Sequence, residues 1–356
     1  MLAAAPFVPW LCPARTGGPG RSSFTDVDAL APFTLRTPET LAEASALLAL
    51  SGARALAGGT DLIPNLRHGL GAPSTLVDVA RVPELTLVAA SEDALTIGAG
   101  VTLARLATDA VVQRMLPALS DAARLAAAPT HRNVATLGGN LCQDTRCVFY
   151  NQSAWWRRAN DHCLKYGGDT CHVAPQGSRC HAAFAGDLAP VLLVLGATID
   201  VVRGGATRTL PLADLYVDDG AKHLALGEGD LVVSVRVPRP AADARIGYRK
   251  HRARGAIDFP LAGVAVRVEM RDGRIVDLAV ALTGTNPRPF VLAGTAALAG
   301  RPFDDATLAS LAKLVRQQAR PMRTTVTQAN HRREVAAVLA QRLARELMTA
   351  HGDRPG

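Results

Sequence analysis

Four cysteines, Cys147, Cys163, Cys171 and Cys180, stand at steps of 16, 8 and 9 positions within the stretch RCVFYNQSAWWRRANDHCLKYGGDTCHVAPQGSRCH, Arg146–His181. Thiolates are soft ligands, and four of them in one short, Gly-punctuated loop point to a soft metal centre. Zinc ribbons and fingers present Cys pairs two to four residues apart, and these four contain no such pair. A four-cysteine [4Fe–4S] cluster therefore fits the spacing better than structural zinc. A disulfide framework is the third reading, and it suits small secreted domains rather than a chain of 356 residues. Cys142, five positions before Cys147, reads as a small buried apolar residue, and Cys12 has no evident role. His162 and His172 neighbour the cysteines, but four thiolates already complete a cluster. Trp155 and Trp156 read as a shield and anchor for the loop. Arg157, Arg158, Lys165 and Arg179 read as solvated, or as partial compensation for thiolate charge that attracts an acidic electron donor.

A second chemistry lies in two Gly-Gly loops. Ala57-Gly58-Gly59-Thr60-Asp61 follows a predicted strand and precedes a helix-like piece, Leu62–Arg67. Backbone N–H groups and a Thr hydroxyl in such a turn can face an anion, although an ordinary tight turn has the same composition. Thr136-Leu137-Gly138-Gly139-Asn140 repeats the pattern. Two such loops could grip the two ends of a pyrophosphate. Neither is a G-x-G-x-x-G, and no P-loop lysine follows, so the chain is not an evident Rossmann or Walker protein.

The elements that position these loops follow from period and punctuation. Thr37-Pro38-Glu39 predicts a helix start, with Leu41, Ala44, Leu47 and Leu48 on its apolar face and Gly52 at its end. Strands are predicted at 54–57, 75–79, 85–90 and 94–100, and helices at 102–108 and 111–127. Asp187-Leu188-Ala189-Pro190 opens an apolar helix through Leu195, and strands follow at 198–202 and 231–237. Pro238-Arg239-Pro240 reads as a linker. Beyond it, alternating stretches at 247–249, 261–268 and 275–282 predict an antiparallel sheet, joined by helices at 304–320 and 334–349 in a separate α+β domain.

Composition bounds the partners. A hydrophobic fraction of 48% allows two or three domains, each with a core. The net charge of +8 suits nucleic acid, anionic cofactors or an acidic protein. The basic residues are scattered apart from Arg332–Arg333 and Arg342–Arg345, with no aromatic-interleaved patch, which argues against nucleic acid. No apolar run approaches the roughly 20 residues of a membrane span. Residues 1–31, with Pro6, Pro9, Pro13 and Gly17-Gly18-Pro19-Gly20, read as a disordered tail. Met1–Leu11 lacks a basic n-region and is broken by prolines, a poor signal peptide, so a cytoplasmic protein is expected.

AGGTDL at Ala57–Leu62, LVDVARVPEL at Leu76–Leu85, IGAGVTL at Ile97–Leu103 and TLGGNLC at Thr136–Cys142 resemble the flavin subunits of the molybdenum hydroxylases, among them those of xanthine and carbon monoxide dehydrogenases. The resemblance spans about 32–345, and Tyr248–Val266, with Arg252, Asp258 and Phe259, resembles that family's C-terminal flavoprotein domain. The cysteine insertion, with CQDTRCVFYNQSAWWR and CLKYGGDTCHV, resembles one branch, the β subunits of 4-hydroxybenzoyl-CoA reductases, where it carries an extra [4Fe–4S] cluster.

The resemblance implies an α+β, two-subdomain FAD-binding fold of the vanillyl-alcohol-oxidase type over 32–238, interrupted by an iron–sulfur insertion at 143–186. A C-terminal α+β flavoprotein domain over 241–350 would follow. It also implies that Ala57, Gly58, Gly59, Thr60, Asp61, Leu62 and Ile63 wrap the FAD pyrophosphate through backbone N–H groups, Thr60 adding its hydroxyl. Thr136, Leu137, Gly138, Gly139 and Asn140 would form the second clamp, with Gln143 on the same loop. Asp187, Val232 and Lys250 would be further flavin contacts, and Cys147, Cys163, Cys171 and Cys180 the cluster ligands. By the same resemblance the chain is an electron relay, without a catalytic residue of its own. A ferredoxin-like donor, a small subunit with two [2Fe–2S] clusters and a molybdopterin-binding large subunit would be its partners, and 4-hydroxybenzoyl-CoA would be reduced to benzoyl-CoA on the large subunit. Three alternatives stay open: a flavin subunit of an oxidative molybdenum hydroxylase, a stand-alone NAD(P)H-dependent flavin oxidoreductase, and a zinc-stabilised interaction protein without activity.

Overall fold

A computed structural model describes residues 30–324 and 327–349. The tail expected over 1–31 thus falls, through residue 29, outside the described residues, and so do Cys12 and residue 350.

Three sheets organise the chain. Strands β1 (Thr34–Arg36), β2 (Ala53–Leu56) and β3 (Thr75–Asp78) form a parallel sheet in the order β1-β3-β2. Parallel pairing needs crossovers, and here they contain helices α1 (Leu41–Leu48) and α2 (Leu62–Arg67). Helix α1 starts later than Thr37-Pro38-Glu39 predicts. Thr40 is its N-cap, the hydroxyl accepting from the Glu43 N–H at 3.2 Å, while the Glu43 carboxylate reaches back to the Glu39 N–H at 3.0 Å. That is the Thr-x-x-Glu capping pattern with the returning donor displaced by one residue, from Thr40 to Glu39. The helix ends at Leu48, and Gly52 serves the turn into β2. A core of Ala44, Leu48, Val77, Val79 and Val82 closes this first subdomain.

The second subdomain is a five-stranded antiparallel sheet in the order β4-β5-β8-β6-β7. Its strands are β4 (Val88–Ala90), β5 (Ala94–Gly98), β6 (Thr198–Arg203), β7 (Ala206–Pro211) and β8 (Leu231–Pro238). Between β5 and β6 lie α3 (Leu103–Thr108), α4 (Ala110–Met115), α5 (Pro117–Leu125), α6 (Pro129–Arg132), α7 (Leu137–Leu141), α8 (Ala154–Ala159) and α9 (Ala189–Val194). The single helix predicted over 111–127 is two, because Pro117 has no N–H for an intrahelical bond and opens a new helix instead. The strand predicted at 85–90 is shortened, since Pro83–Thr86 forms a 3₁₀ turn. Helix α9 is buried at every position, as a helix inside a domain must be when it is apolar all round.

The C-terminal domain has β9 (Arg245–His251), β10 (Ala262–Arg271), β11 (Arg274–Thr283) and β12 (Phe290–Val291), antiparallel in the order β12-β11-β10-β9, with α10 (Asp305–Gln318) and α11 (Ala329–Thr349). Period-2 alternation assigns its faces. Val264, Val266 and Val268 pack against α10 and α11, with Leu311, Val315 and Ala340 in the same core. Ala265 and Ala281 point the other way, into the core that also holds α9. The architecture is the expected α+β pair of subdomains followed by an α+β domain.

Candidate functional site

Ala57–Asp61 turns β2 into α2 beyond the carboxyl end of the parallel sheet, where open sheets bind ligands. Gly59 is left-handed at φ +69°. Gly58 has a different reason to lack a side chain: a Cβ there would lie 1.9 Å from the Val134 carbonyl oxygen and 2.8 Å from the Ala135 nitrogen. The first Gly-Gly loop therefore rests on the backbone just ahead of the second. The N–H groups of Gly59, Thr60 and Asp61 find no protein acceptor among the described residues, while the Gly59 carbonyl accepts from Ile63 at 3.0 Å. Leu62 and Ile63 are half-buried beneath the loop. Asp61 occupies the N-cap position of α2 without capping it. Its carboxylate instead accepts from the Asp144 N–H at 2.9 Å and forms an ion pair with Arg146.

The second loop spends its backbone donors differently. Thr136 caps α7, its hydroxyl accepting from Gly139 at 3.1 Å. Leu137 donates to Val101 at 2.9 Å, Gly138 to Ala99 at 2.8 Å and Asn140 to Thr136 at 2.9 Å. A grip by backbone N–H groups is thus open to the first loop only. The second loop contributes shape and the Asn140 side chain, whose carbonyl oxygen accepts from Leu188 at 3.1 Å. Gln143 is buried. Its main-chain carbonyl accepts from His223 Nε2 at 2.9 Å, and its side-chain Nε2 has no partner. Burial holds the His223 pKa below the ordinary imidazole range, consistent with a neutral ring donating through Nε2.

Asp187 joins the two domains. It lies at the start of α9 and accepts from Tyr248 Oη at 2.8 Å and from Lys250 Nζ at 2.9 and 3.1 Å, both on β9. The Lys250 and Asp187 side chains are only 2% and 6% exposed, so each is the other's main compensation for lost water. Burial raises the Asp187 pKa and lowers that of Lys250, against their mutual attraction. Val232 is sealed in the second subdomain's core on β8, away from this ion pair's hydrogen bonds.

The cysteine insertion leaves and returns through one neck, where Arg146 and Ala183 exchange backbone hydrogen bonds of 2.8 and 2.9 Å. It is pinned along α2. Arg146 holds Asp61 at one end, and at the other the Arg157 guanidinium takes the His68 carbonyl at 2.6 Å while Tyr166 donates to Gly69 at 3.0 Å. Cys147, Cys163, Cys171 and Cys180 line one small cavity with Phe149, His172 and Val173. All are free thiols. Burial pushes Cys147 up to about 11 and Cys180 up to about 12. The Cys180 sulfur accepts from the Ala182 N–H at 3.4 Å. Among the described residues no three His, Cys, Asp or Glu side chains are grouped to hold a single metal ion. Cys142 packs against the second subdomain's core and stays out of the cavity.

Residues 31–240 match the FAD binding domain in molybdopterin dehydrogenase, and 247–347 match the CO dehydrogenase flavoprotein C-terminal domain. The chain belongs to the flavin subunits of the molybdenum hydroxylase family. It is 33% identical to the aldehyde oxidoreductase FAD-binding subunit PaoB of Escherichia coli K12, over 67% of this chain and 77% of that one. It is 28% identical to the carbon monoxide dehydrogenase medium chain of Hydrogenophaga pseudoflava, over 72% and 75%. Among solved structures, quinoline 2-oxidoreductase from Pseudomonas putida 86 superposes with a TM-score of 0.73 at 25% identity, covering 90% of this chain and 99% of that one. The carbon monoxide dehydrogenase of H. pseudoflava shares the fold, with a TM-score of 0.75 at 23% identity over 90% and 99%. No helix among the described residues is long and apolar enough to cross a membrane.

Several expectations about this flavin subunit change on contact with its geometry. Trp155 is 71% exposed and does not line the cysteine cavity, while Trp156 packs on Phe149 with ring centroids 6.0 Å apart. Arg157 and Lys165 are buried structural cations rather than solvated ones. Lys165 donates to Asp144 at 2.6 Å and to the Thr145 hydroxyl at 2.6 Å. Arg146, Tyr248 and His223 went unrecognised by sequence reasoning, because each acts through a partner some 60 to 85 positions away.

Proposed function

We propose that this flavin subunit carries both FAD and a [4Fe–4S] cluster, as the electron-transfer subunit of a molybdenum enzyme that reductively dehydroxylates 4-hydroxybenzoyl-CoA to benzoyl-CoA. The observation that carries the reading is the meeting of the four cysteines of the insertion at one cavity, in a loop pinned to α2. Tetrahedral zinc with sulfur at 2.3 Å would draw thiols to within about 3.8 Å of one another. Ligand type, number and sequence spacing, four thiols about one cavity, favour a multi-iron cluster, and metal analysis separates it from zinc.

FAD supplies one- and two-electron chemistry when bound, and the cluster supplies one-electron chemistry. The chain's residues hold and tune them. The free N–H groups of Gly59, Thr60 and Asp61 fit a diphosphate, and Leu62 and Ile63 set the loop. Ala57, Gly58 and the Thr136–Asn140 loop shape the opposite wall. The orphaned Gln143 Nε2 is a buried donor in want of an acceptor. The paired Asp187 and Lys250 fix β9 against the FAD-binding domain; Val232 lies in that domain's core on β8. The Ala182 N–H to sulfur bond favours the Cys180 thiolate over the thiol. Substrate chemistry belongs to a molybdopterin-binding large subunit, with a small subunit carrying two [2Fe–2S] clusters and a ferredoxin-like donor as further partners.

A second reading is favoured by the relatives, whose names speak of aldehyde oxidoreductase, xanthine dehydrogenase and carbon monoxide dehydrogenase. There the complex oxidises its substrate and the insertion adds an electron port. Anaerobic purification of the complex decides between them. Dehydroxylation of 4-hydroxybenzoyl-CoA with a low-potential reductant, absent from the isolated chain, supports the first. Dye-linked oxidation without dehydroxylation supports the second.

A further inference from the structure

An aspartate at the N-cap position normally turns its carboxylate onto the N–H groups that follow it. Asp61 does not. Its carboxylate is taken by the Arg146 guanidinium, the Asp144 N–H at 2.9 Å and the Asn65 amide at 3.4 Å. Arg146 is held in turn: it reaches the Asn65 side-chain oxygen at 3.4 Å, lies 4.8 Å from the Phe259 ring centroid, and has its backbone locked to Ala183. Three parts of the molecule thus meet at one guanidinium: the first Gly-Gly loop, the neck of the cysteine insertion and the C-terminal domain. Without Arg146 a carboxylate would stand beside the loop with its charge uncompensated, repelling the diphosphate that the Gly59–Asp61 N–H groups would hold.

We propose that Arg146 is a cofactor-positioning residue. It neutralises Asp61 and holds its carboxylate, so that no uncompensated anion opposes the FAD diphosphate at the Gly59–Asp61 N–H groups. The insertion is thereby part of the flavin site as well as the cluster site. This inference rests on the reading of Ala57–Ile63 as the diphosphate seat.

The test is FAD titration of the deflavinated full-length chain, followed by flavin fluorescence, with iron content and thermal unfolding measured on each variant. Arg146→Met weakens FAD and ADP binding by about ten-fold or more, the scale of one uncompensated charge near a dianion in a partly exposed site. Iron content does not change. Asp61→Asn binds FAD within about three-fold of wild type, and the Arg146→Met/Asp61→Asn double variant recovers to that level, because the charge to be neutralised is gone. Arg146→Lys keeps the charge, stays within about three-fold, and preserves the test should the Met variant fail to fold. A double variant as weak as Arg146→Met alone overturns the proposal, since Arg146 would then act by direct contact or by packing. So does a Lys variant that loses binding with its fold intact. Gly59→Val separates the two levels of the argument: wild-type FAD affinity in that variant removes the diphosphate seat itself, whereas lost affinity there with normal affinity in Arg146→Met removes only the role of Arg146.

Discussion

Gly58→Ala is the smallest change with a calculable effect on the flavin site. The added methyl would lie 1.9 Å from the Val134 carbonyl oxygen and 2.4 Å from its carbon, where real Cβ contacts stay beyond 3.0 Å. Both obstacles are backbone, so no rotamer change relieves them, and the two Gly-Gly loops must part by roughly 1 Å or more. Overpacking of this kind costs about 1–3 kcal/mol. Each ~1.4 kcal/mol that FAD must spend to bring the loops back together weakens binding about ten-fold, giving about ten- to hundred-fold in all. Gly139→Ala is the control. Its Cβ would meet only the Thr136 hydroxyl, at 3.1 Å, so affinity should change by less than about three-fold. Fluorescence titration with FAD and urea unfolding of both variants check this. Wild-type stability and affinity in Gly58→Ala would refute the claim that the loops meet at this glycine.

Cys171→Ala should lose iron while keeping FAD, since the Gly-Gly loops lie outside the insertion, and Cys142→Ala should lose neither; iron and flavin analysis reads both. Arg157→Met removes a fully buried cation from the His68 carbonyl and the Tyr166 ring, and should cost about 2–4 kcal/mol in a denaturant titration. His223 makes an acid-side prediction. Its folded pKa lies below the ordinary 6.5, so the stability linked to its neutral form is complete above pH 6.5. As pH falls from 6.5 toward the lower folded value the unfolded chain takes up a proton that the folded ring refuses, and this contribution is lost at up to ~1.4 kcal/mol per pH unit until the folded ring protonates too. His223→Gln should flatten the acid limb of stability against pH, and parallel limbs would contradict the assignment.

Much of the architecture was legible because period and punctuation agree with the tertiary environment. Leu62–Arg67 reads as a helix-like piece, and α2 has those bounds, since Pro64 falls in its first turn, where proline is tolerated. The alternation at 261–268 foretold β10, whose two faces meet different neighbours. Errors arose where a local signal had a rival. Thr37-Pro38-Glu39 competed with the Thr40-x-x-Glu43 pattern three positions later, and the second won. Strand β7 is almost wholly exposed and has no apolar face to announce it. At the candidate sites, the ligand types and their spacing could be read from the sequence, but the compensating groups could not. Arg146 opposite Asp61, Arg157 beneath His68 and Lys250 against Asp187 are pairings between distant segments, and single-sequence patterns carry no record of them. The same holds for the second Gly-Gly loop, whose N–H groups looked free until Ala99 and Val101 took them.

The central claim is that one chain holds a flavin and a cluster. Metal, sulfide and flavin analysis of the full-length protein, purified without oxygen, tests it most directly. About four iron and four labile sulfide per chain, together with one FAD released by acid, is the predicted result. One zinc with no iron, or flavin without any metal after anaerobic reconstitution, would contradict it.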